Sequence, residues 1–320
     1  MMKCTVVIPL YNGEKWIIEQ LESILDQTRK ADKLVMIDDC STDGTFFLVN
    51  EFIEKHSLCN WELRKNNKNT GYRENFKQLV LSTDTEVVIT ADQDDKWYNN
   101  KIEVIMEVFE NNPEVELLGH GRDVFWDENI SDERKQNIER VQSLQKKEKS
   151  LPQLSNISNM SDFYMTNHRI AFKNTLVKEL EKYSELISST YDFDQVIGHI
   201  ARYRNSFYYT NLVLMSNRQH DESTSAVILS KEKDYLDTIK SAEDFYLLSK
   251  QEFEDSKKWA QVKKYGFDLS IRYGMNRLNF LKRPSVLTIV PYVYSIILEK
   301  NRKIKLRSLY NDINLIKENK

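Results

Sequence analysis

The sequence predicts an α/β fold, a mostly parallel sheet flanked by helices and followed by a helical C-terminal extension. Two observations predict it. Short runs of β-branched and apolar residues alternate with segments of helical periodicity at roughly 25- to 30-residue intervals, the signature of βαβ units. Two of those runs, Lys33 to Ile37 and Val87 to Ala91, end abruptly in acids. Strands of an open α/β sheet do this where their carboxyl ends meet the edge at which ligands bind.

The 320 residues hold one large domain, or a catalytic domain with a smaller appendage. Charged residues nearly cancel, leaving a formal net charge of -3, so no global attraction to nucleic acid follows. Met1-Met2-Lys3 runs directly into a strand-like segment, with neither the apolar stretch nor the cleavage site of a secretory signal. The expected location is therefore cytoplasmic. Cys4, Cys40 and Cys59 are odd in number and lack CxxC spacing, which argues against a zinc site or a disulfide framework.

Cys4 to Ile8 reads as a first strand stopped by Pro9, and Tyr11-Asn12-Gly13 turns into a helix striped by Ile17, Leu21, Ile24 and Leu25. Lys33 to Ile37 is a second strand. It ends in Asp38-Asp39, and Ser41, Thr42 and Asp43 are the N-cap choices for a helix through Phe46, Val49, Phe52 and Ile53. Trp61 to Leu63 is a weaker strand, followed by an Asn-rich loop to Gly71 and a helix carrying Phe76, Leu79 and Val80.

The run Val87-Val88-Ile89-Thr90-Ala91 follows, a strand buried on both faces. Asp92, Asp94 and Asp95 crowd its end, where their charges repel one another. Two readings stand at this point. The acids solvate a strand end, or they hold a hard divalent cation, Mg²⁺ or Mn²⁺, bridged to a phosphate. There is no GxGxxG after the first strand and no GxxxxGK[ST] anywhere, so the usual backbone cradles for phosphate are missing. A metal on Asp92 and Asp94 is the available alternative.

Beyond a helix from Lys101 to Asn111 and a strand from Val115 to Leu118, residues 127–159 are polar and without periodicity, a surface excursion. Order returns at Ser161 to His168, with a helix through Leu176, Leu180 and Leu186. Tyr191 to Gly198 opens another helix, and Phe207 to Leu214 is a strand ended by Asn217-Arg218-Gln219-His220.

Three segments together resemble the family-2 glycosyltransferases of the GT-A (Rossmann-like) fold. They are Thr5 to Asn12, Asp38 to Thr45, and Asp92-Gln93-Asp94-Asp95-Lys96-Trp97. With Asp194 placed 24 residues before Arg218-Gln219-His220, the pattern resembles the rhamnosyltransferase-like branch that builds bacterial surface polysaccharides. The resemblance covers residues 1–225, the expected catalytic domain, and leaves 226–320 as a helical region.

The resemblance implies that Pro9, Tyr11, Asp38 and Asp39 line a base pocket for uracil or thymine, hence a UDP- or dTDP-sugar donor. Gly71, Gln93 and His220 join that nucleotide-sugar site, although His220 at a strand end also fits a packing role. Asp94 becomes the direct metal ligand, Asp92 lies nearer the ribose or a metal-bound water, and Asp95 supports both. Asp194 is the catalytic base, with Asp192 as the fallback. Two departures bear on the donor. The base position reads Phe193-Asp194-Gln195-Val196, and Glu74 stands where a Lys or Arg is common before Asn75.

Past Ser225, apolar positions from Tyr235 to Ile271 read as helices packed on the catalytic domain or on a second copy in a homo-oligomer. Val286 to Leu298 is apolar but contains Pro291 and is shorter than the roughly 20 residues a bilayer span needs. Leu281 to Lys320 carries nine Lys and Arg against three acids, which suits peripheral contact with anionic headgroups at the inner face of the membrane. The sequence thus predicts an inverting, metal-dependent transferase acting on a surface polysaccharide or lipid-linked oligosaccharide. A sugar nucleotidyltransferase and a non-catalytic scaffold are the alternatives.

Overall fold

The first strand, β1 (Cys4–Leu10), is buried at every one of its seven residues, as befits the strand about which the sheet is built. The computed structural model describes residues 1–126, 151–158, 167–181, 193–220, 276–277, 279–298, 309–310 and 313. Of the excursion expected over 127–159, residues 127–150 and 159 lie outside these residues, as do residues 161–166, Leu186, Asp192 and the helices expected between Tyr235 and Ile271. The excursion's residues 151–158 are described and include a short strand, Leu154–Asn156. The chain divides into two compact units. One comprises Met1–Ser158, Met165–Ser188 and Asp192–Ile228, the other Asn159–Tyr164, Ser189–Tyr191 and Leu229–Lys320.

β2 (Lys33–Asp38) and β4 (Val87–Thr90) flank β1 in parallel, and β3 (Trp61–Lys65) lies outside β2. The remaining strands are β5 (Lys96–Trp97), β6 (Leu117–Trp126), β7 (Leu154–Asn156), β8 (Ile170–Lys173) and β9 (Phe207–Gln219). Among the described residues they form one sheet of order β3-β2-β1-β4-β8-β6-β9-β5, with β7 on β9. β1 to β4, β6 and β9 run one way, and β5, β7 and β8 the other. The chain winds outward from β1 to β3 and returns to β4 on the other side of β1. That reversal opens a crevice at the carboxyl ends of β1 and β4.

The helices are α1 (Ile17–Leu25), α2 (Thr45–Lys55), α3 (Tyr72–Leu81), α4 (Lys101–Asn111), α5 (Asn174–Leu180), α6 (Phe193–Tyr203) and α7 (Val286–Leu298). Each connecting helix buries a stripe on the sheet; in α4 it is Ile102, Ile105, Met106 and Phe109, at the spacing of one helical face. Among the described residues no helix is long and apolar enough to cross a membrane.

The structure corrects several element boundaries. β1 continues through Pro9 to Leu10, because Val7 C=O accepts the Ala91 N–H and Pro9, two residues on, points to the same side beyond the end of β4. No ladder bond is lost there. β6 runs to Trp126 instead of stopping at Leu118, and its register shifts on either side of Gly121. A Cβ at Gly121 would stand 2.8 Å from the Leu212 carbonyl oxygen, so only glycine admits this bulge. β9 reaches Gln219, making Asn217 and Arg218 strand residues. α2 starts at Thr45 and has no capping side chain at Gly44, while Asp43 accepts the Thr45 N–H from two residues upstream.

Candidate active site at the carboxyl ends of the parallel strands

Two banks of side chains face each other across the crevice. The first is built by the loops that leave β1 and β2. Asp39, 2% exposed, accepts four hydrogen bonds: from Asn66 Nδ2, from the Thr70 N–H and hydroxyl, and from the Gly71 N–H at 2.7 Å. This carboxylate folds the Asn-rich loop back onto β2. Gly71 enters α3 with φ of 85°, a conformation that disfavours any side chain, so the sharp entry depends on glycine.

Asp38 is fully buried. Its Oδ1 accepts the Ser41 N–H at 2.9 Å, and its Oδ2 has no partner. The β1 loop is laced to the β2 loop through Asn12 N–H to Ser41 Oγ and Gly13 N–H to Thr45 Oγ1. Pro9 lies within buried β1, and Tyr11 is exposed at its exit.

Gln93 connects the two banks. Its Oε1 accepts the Tyr11 N–H at 2.9 Å and its Nε2 donates to the Tyr11 carbonyl at 2.8 Å, so the side-chain amide mimics a strand partner. The side chain passes over Gly13, where a Cβ would stand 2.4 Å from Oε1. Gln93 thus holds the β1 loop in place with both of its amide atoms.

The second bank is the acidic turn after β4. Asp94 Oδ2 meets His220 Nε2 at 2.8 Å, and the His220 ring lies 3.9 Å from the Trp16 ring. Arg218 donates Nε to the Asp94 carbonyl and pairs with Glu19, which Lys96 also contacts. Asp95 is fully buried; its Oδ1 accepts from Asn217 Nδ2 at 2.7 Å and from the Arg218 N–H. Asp92 Oδ2 lies 3.1 Å from His168 Nδ1. Arg122 Nη1 reaches His168 Nε2 at 2.6 Å; since a guanidinium only donates, Nε2 accepts and Nδ1 carries the proton toward Asp92.

The electrostatics match this geometry. Burial, reinforced by the Asp94 charge, raises Asp92 to about 7. Burial raises Asp95 to about 7 as well, against the pull of His168. His168 itself is driven down to about 3 by burial, against the attraction of Asp95 and with the Arg122, Arg169 and Lys101 charges adding to the fall. Lys101 is fully buried behind the turn, its Nζ 3.8 Å over the Trp97 ring and 3.4 Å from the His168 carbonyl. Burial holds it well below an ordinary lysine, opposed by Asp95 and Asp92.

Asp92, Asp95 and His168 bring one ligand atom each within 4.8 Å of one another, a group that can hold a metal ion. Asp92 Oδ1 and Asp95 Oδ2 are buried with no hydrogen-bond partner. Buried carboxylate oxygens in that condition are costly until something completes them, and a hard divalent cation fits the two carboxylates.

Asp194 is 8% exposed in the first turn of α6. α6 feeds β9, whose Phe207 pairs with Leu117 at the amino end of β6, so the first turn of α6 points toward the opposite, carboxyl edge of the sheet. Phe193 fixes it there by stacking on Phe76 of α3 and packing on Phe172 of β8.

The profile of Glycosyl transferase family 2 matches residues 5–176, more than half of the chain. The chain belongs to that family. The dTDP-rhamnosyl transferase RfbG of Shigella flexneri is 39% identical over 107 residues, 32% of this chain and 37% of that protein. The poly(ribitol-phosphate) beta-N-acetylglucosaminyltransferase TarS of Staphylococcus aureus is 36% identical over 103 residues, 32% of this chain and 17% of its own length. The matched segment therefore spans well under half of these relatives.

Among solved structures, TarS 1-349 in complex with UDP-GlcNAc aligns with a TM-score of 0.63 at 15% identity, covering 92% of this chain and 80% of that one. The Pyrobaculum calidifontis mannosyltransferase PcManGT with GDP-Man and Mn²⁺ aligns at 0.53 and 15% identity, covering 99% and 87%. At such identities the likeness is one of fold. Together these findings give the chain a glycosyltransferase family and a mixed α/β, GT-A architecture, and its acidic turn is a candidate metal site.

The structure gathers Asp38, Asp39, Gly71 and Gln93 around the first bank, and Asp92, Asp94 and His220 around the second. His168, Arg122, Asn217 and Lys101 enter the site without having been singled out as site residues in the sequence. Each is a solitary polar residue, and His168, Arg122 and Asn217 are far from the acids in sequence. No periodicity or spacing marks them.

Proposed function

We propose that the protein is an inverting, metal-dependent glycosyltransferase that moves a sugar from a UDP- or dTDP-sugar to a hydroxyl of a bacterial surface polysaccharide or lipid-linked oligosaccharide. The observation that carries this reading is the convergence at one sheet edge of a buried acidic bank, Asp38 and Asp39, with the acidic turn of Asp92 and Asp94. In this reading Asp38 Oδ2, the oxygen without a partner, accepts the imide N–H of the base beside Pro9 and Tyr11. Asp39 and Gly71 shape that pocket.

Asp94 and Asp92 hold Mn²⁺ or Mg²⁺. His168 is engaged at both ring nitrogens, so it buttresses Asp92, and Asp95, whose Oδ2 has no partner, adds a third carboxylate to the cation site. A bound divalent cation supplies Lewis-acid charge to the departing diphosphate. Asp194 removes the proton of the attacking acceptor hydroxyl on the opposite face, and a single displacement inverts the anomeric centre. His220 borders the diphosphate beside Asp94.

The same reading includes peripheral attachment to a membrane carrying the acceptor. Leu287, Val290 and Tyr294 lie exposed along one face of α7, and Lys282 and Arg283 are exposed at its start. An apolar stripe beside basic residues suits an anionic bilayer surface.

The test is transfer from dTDP-rhamnose and UDP-GlcNAc, the donors that the relatives' names suggest, with the product anomer read by NMR. Inverted product, lost in Asp194→Asn with nucleotide binding intact, supports the reading. Retained configuration, or full activity in Asp194→Asn, contradicts it.

A further inference from the structure

One guanidinium reaches both walls of the acidic turn. Arg122, on β6 one residue past the Gly121 bulge, donates Nη1 to His168 Nε2 at 2.6 Å and to Asn217 Oδ1 at 3.1 Å. His168 continues through Nδ1 to Asp92 Oδ2 at 3.1 Å, and Asn217 continues through Nδ2 to Asp95 Oδ1 at 2.7 Å. His168 and Asn217 are both buried, at 7% exposed each, so neither arm exchanges freely with water.

We propose that Arg122 is the positioning residue of the cation site, fixing Asp92 through His168 and Asp95 through Asn217 as one unit. The chemistry is that of a donor-only hub. A guanidinium has no acceptor, so it dictates the His168 tautomer and, together with Gln219 Nε2 at 2.6 Å from Asn217 Oδ1, turns the Asn217 amide so that its N–H₂ faces Asp95. Both carboxylates are then held by one oxygen, leaving Asp92 Oδ1 and Asp95 Oδ2 without partners. Two carboxylates on opposite walls of one turn would otherwise rotate apart under their mutual repulsion. The β6 bulge has a part in this arrangement, because the register shift between Gly121 and Asp123 spans the residue that carries the guanidinium.

This rests on the reading that the acidic turn holds a divalent cation, but not on which sugar is transferred or whether Asp194 is the base. The experiment is Mn²⁺ binding to the full chain by electron paramagnetic resonance, without donor or acceptor. Arg122→Gln is expected to weaken Mn²⁺ roughly 10- to 100-fold, the usual consequence of removing a group that orients a ligand. The His168 Nδ1–H resonance in the metal-free protein should be lost in the same variant, a signature that a merely structural role would not move. Arg122→Lys keeps the charge but cannot serve both arms, and is expected to restore less than half of the loss.

The paired variant His168→Gln/Asn217→Ala should weaken Mn²⁺ as much as Arg122→Gln, and adding Arg122→Gln to it should cost little more, since the three act as one unit. This set also covers the case in which Arg122→Gln does not fold. Unchanged Mn²⁺ affinity in Arg122→Gln, or losses that multiply across the three sites, would overturn the proposal. If wild type itself binds no Mn²⁺, the metal reading fails first, and the His168 resonance then decides the hub alone.

Discussion

The two banks of the crevice are built on opposite terms. On the β1–β2 side, hydrogen bonding is nearly complete: Asp39 takes four donors, and Gln93 spends both amide atoms on Tyr11. Asp38 Oδ2 is the exception there. On the β4 side, among the described residues, Asp92 Oδ1, Asp95 Oδ2 and His220 Nδ1 are buried without partners, and two carboxyls sit near 7. A satisfied polar network rigidifies, whereas an incomplete one is costly until a ligand completes it. The first bank is therefore a preformed mould, and the second is a receptacle. Substitutions on the first side should lower stability, and those on the second should lower function while leaving stability intact.

The largest effect should come from Asp94→Asn, which removes charge from the receptacle. We expect kcat/KM to fall roughly 10²- to 10³-fold, as when an electrostatic stabiliser of a leaving group is lost. The metal-free thermal midpoint should stay level or rise, because a repelling charge beside Asp92 is gone. A midpoint that drops with activity would erase the distinction between the banks.

Asp39→Ala should do the reverse. Its donors lose a carboxylate in a buried setting, and about 2 to 4 kcal/mol of unfolding free energy should disappear. Denaturant titration reads this directly. A stable Asp39→Ala protein that fails only to bind nucleotide would show that the loop folds without this carboxylate.

The receptacle should also declare itself in pH. Below about 7, Asp92 and Asp95 hold protons that a cation must displace, so Mn²⁺ affinity should rise with pH up to that point and level off above it. The slope approaches tenfold per pH unit for each carboxyl deprotonated. For the metal-free protein the sign is opposite. Carboxyls raised in the folded state keep protons that the unfolded chain, titrating near about 4, has released. Their contribution to stability is full below that range and is lost as pH climbs to about 7. Calorimetry in two buffers of different ionisation enthalpy should detect proton release on Mn²⁺ binding at pH 6 and none at pH 8.5.

A smaller effect belongs to the link between the banks. Gln93→Ala removes two hydrogen bonds to Tyr11 and should cost about 1 to 2 kcal/mol, with a higher KM for donor and a kcat changed little. Steady-state kinetics at saturating acceptor separates these. A kcat collapse would mean that Gln93 acts on the reacting atoms instead of on the loop.

The sequence reveals the mould and the receptacle unequally. β1, β2 and β4 are legible because each is an uninterrupted apolar run, and Asp38, Asp39 and Asp92 to Asp95 stand out where those runs stop. β5, β7 and β8 are two to four residues long, too short for any period to register. β6 hides its second half beyond Leu118, where the expected strand ends, because its register shifts into a bulge around Gly121. That concealment removes Arg122 from view. His168 and Asn217 are missed for a related reason: their roles exist only once β8 and β9 bring them beside β4. Lys101 reads as an ordinary first-turn residue of α4, and only burial shows that its charge faces the acids.

The most direct test of the two-bank account is calorimetric titration of UDP and dTDP into wild type and Asp94→Ala, each with and without Mn²⁺. One nucleotide should bind weakly without metal, through the Asp38–Asp39 bank, and much more tightly with it. Asp94→Ala should keep the weak binding and lose the enhancement. Equal affinity with and without Mn²⁺ in wild type, or no nucleotide binding in any condition, would contradict it.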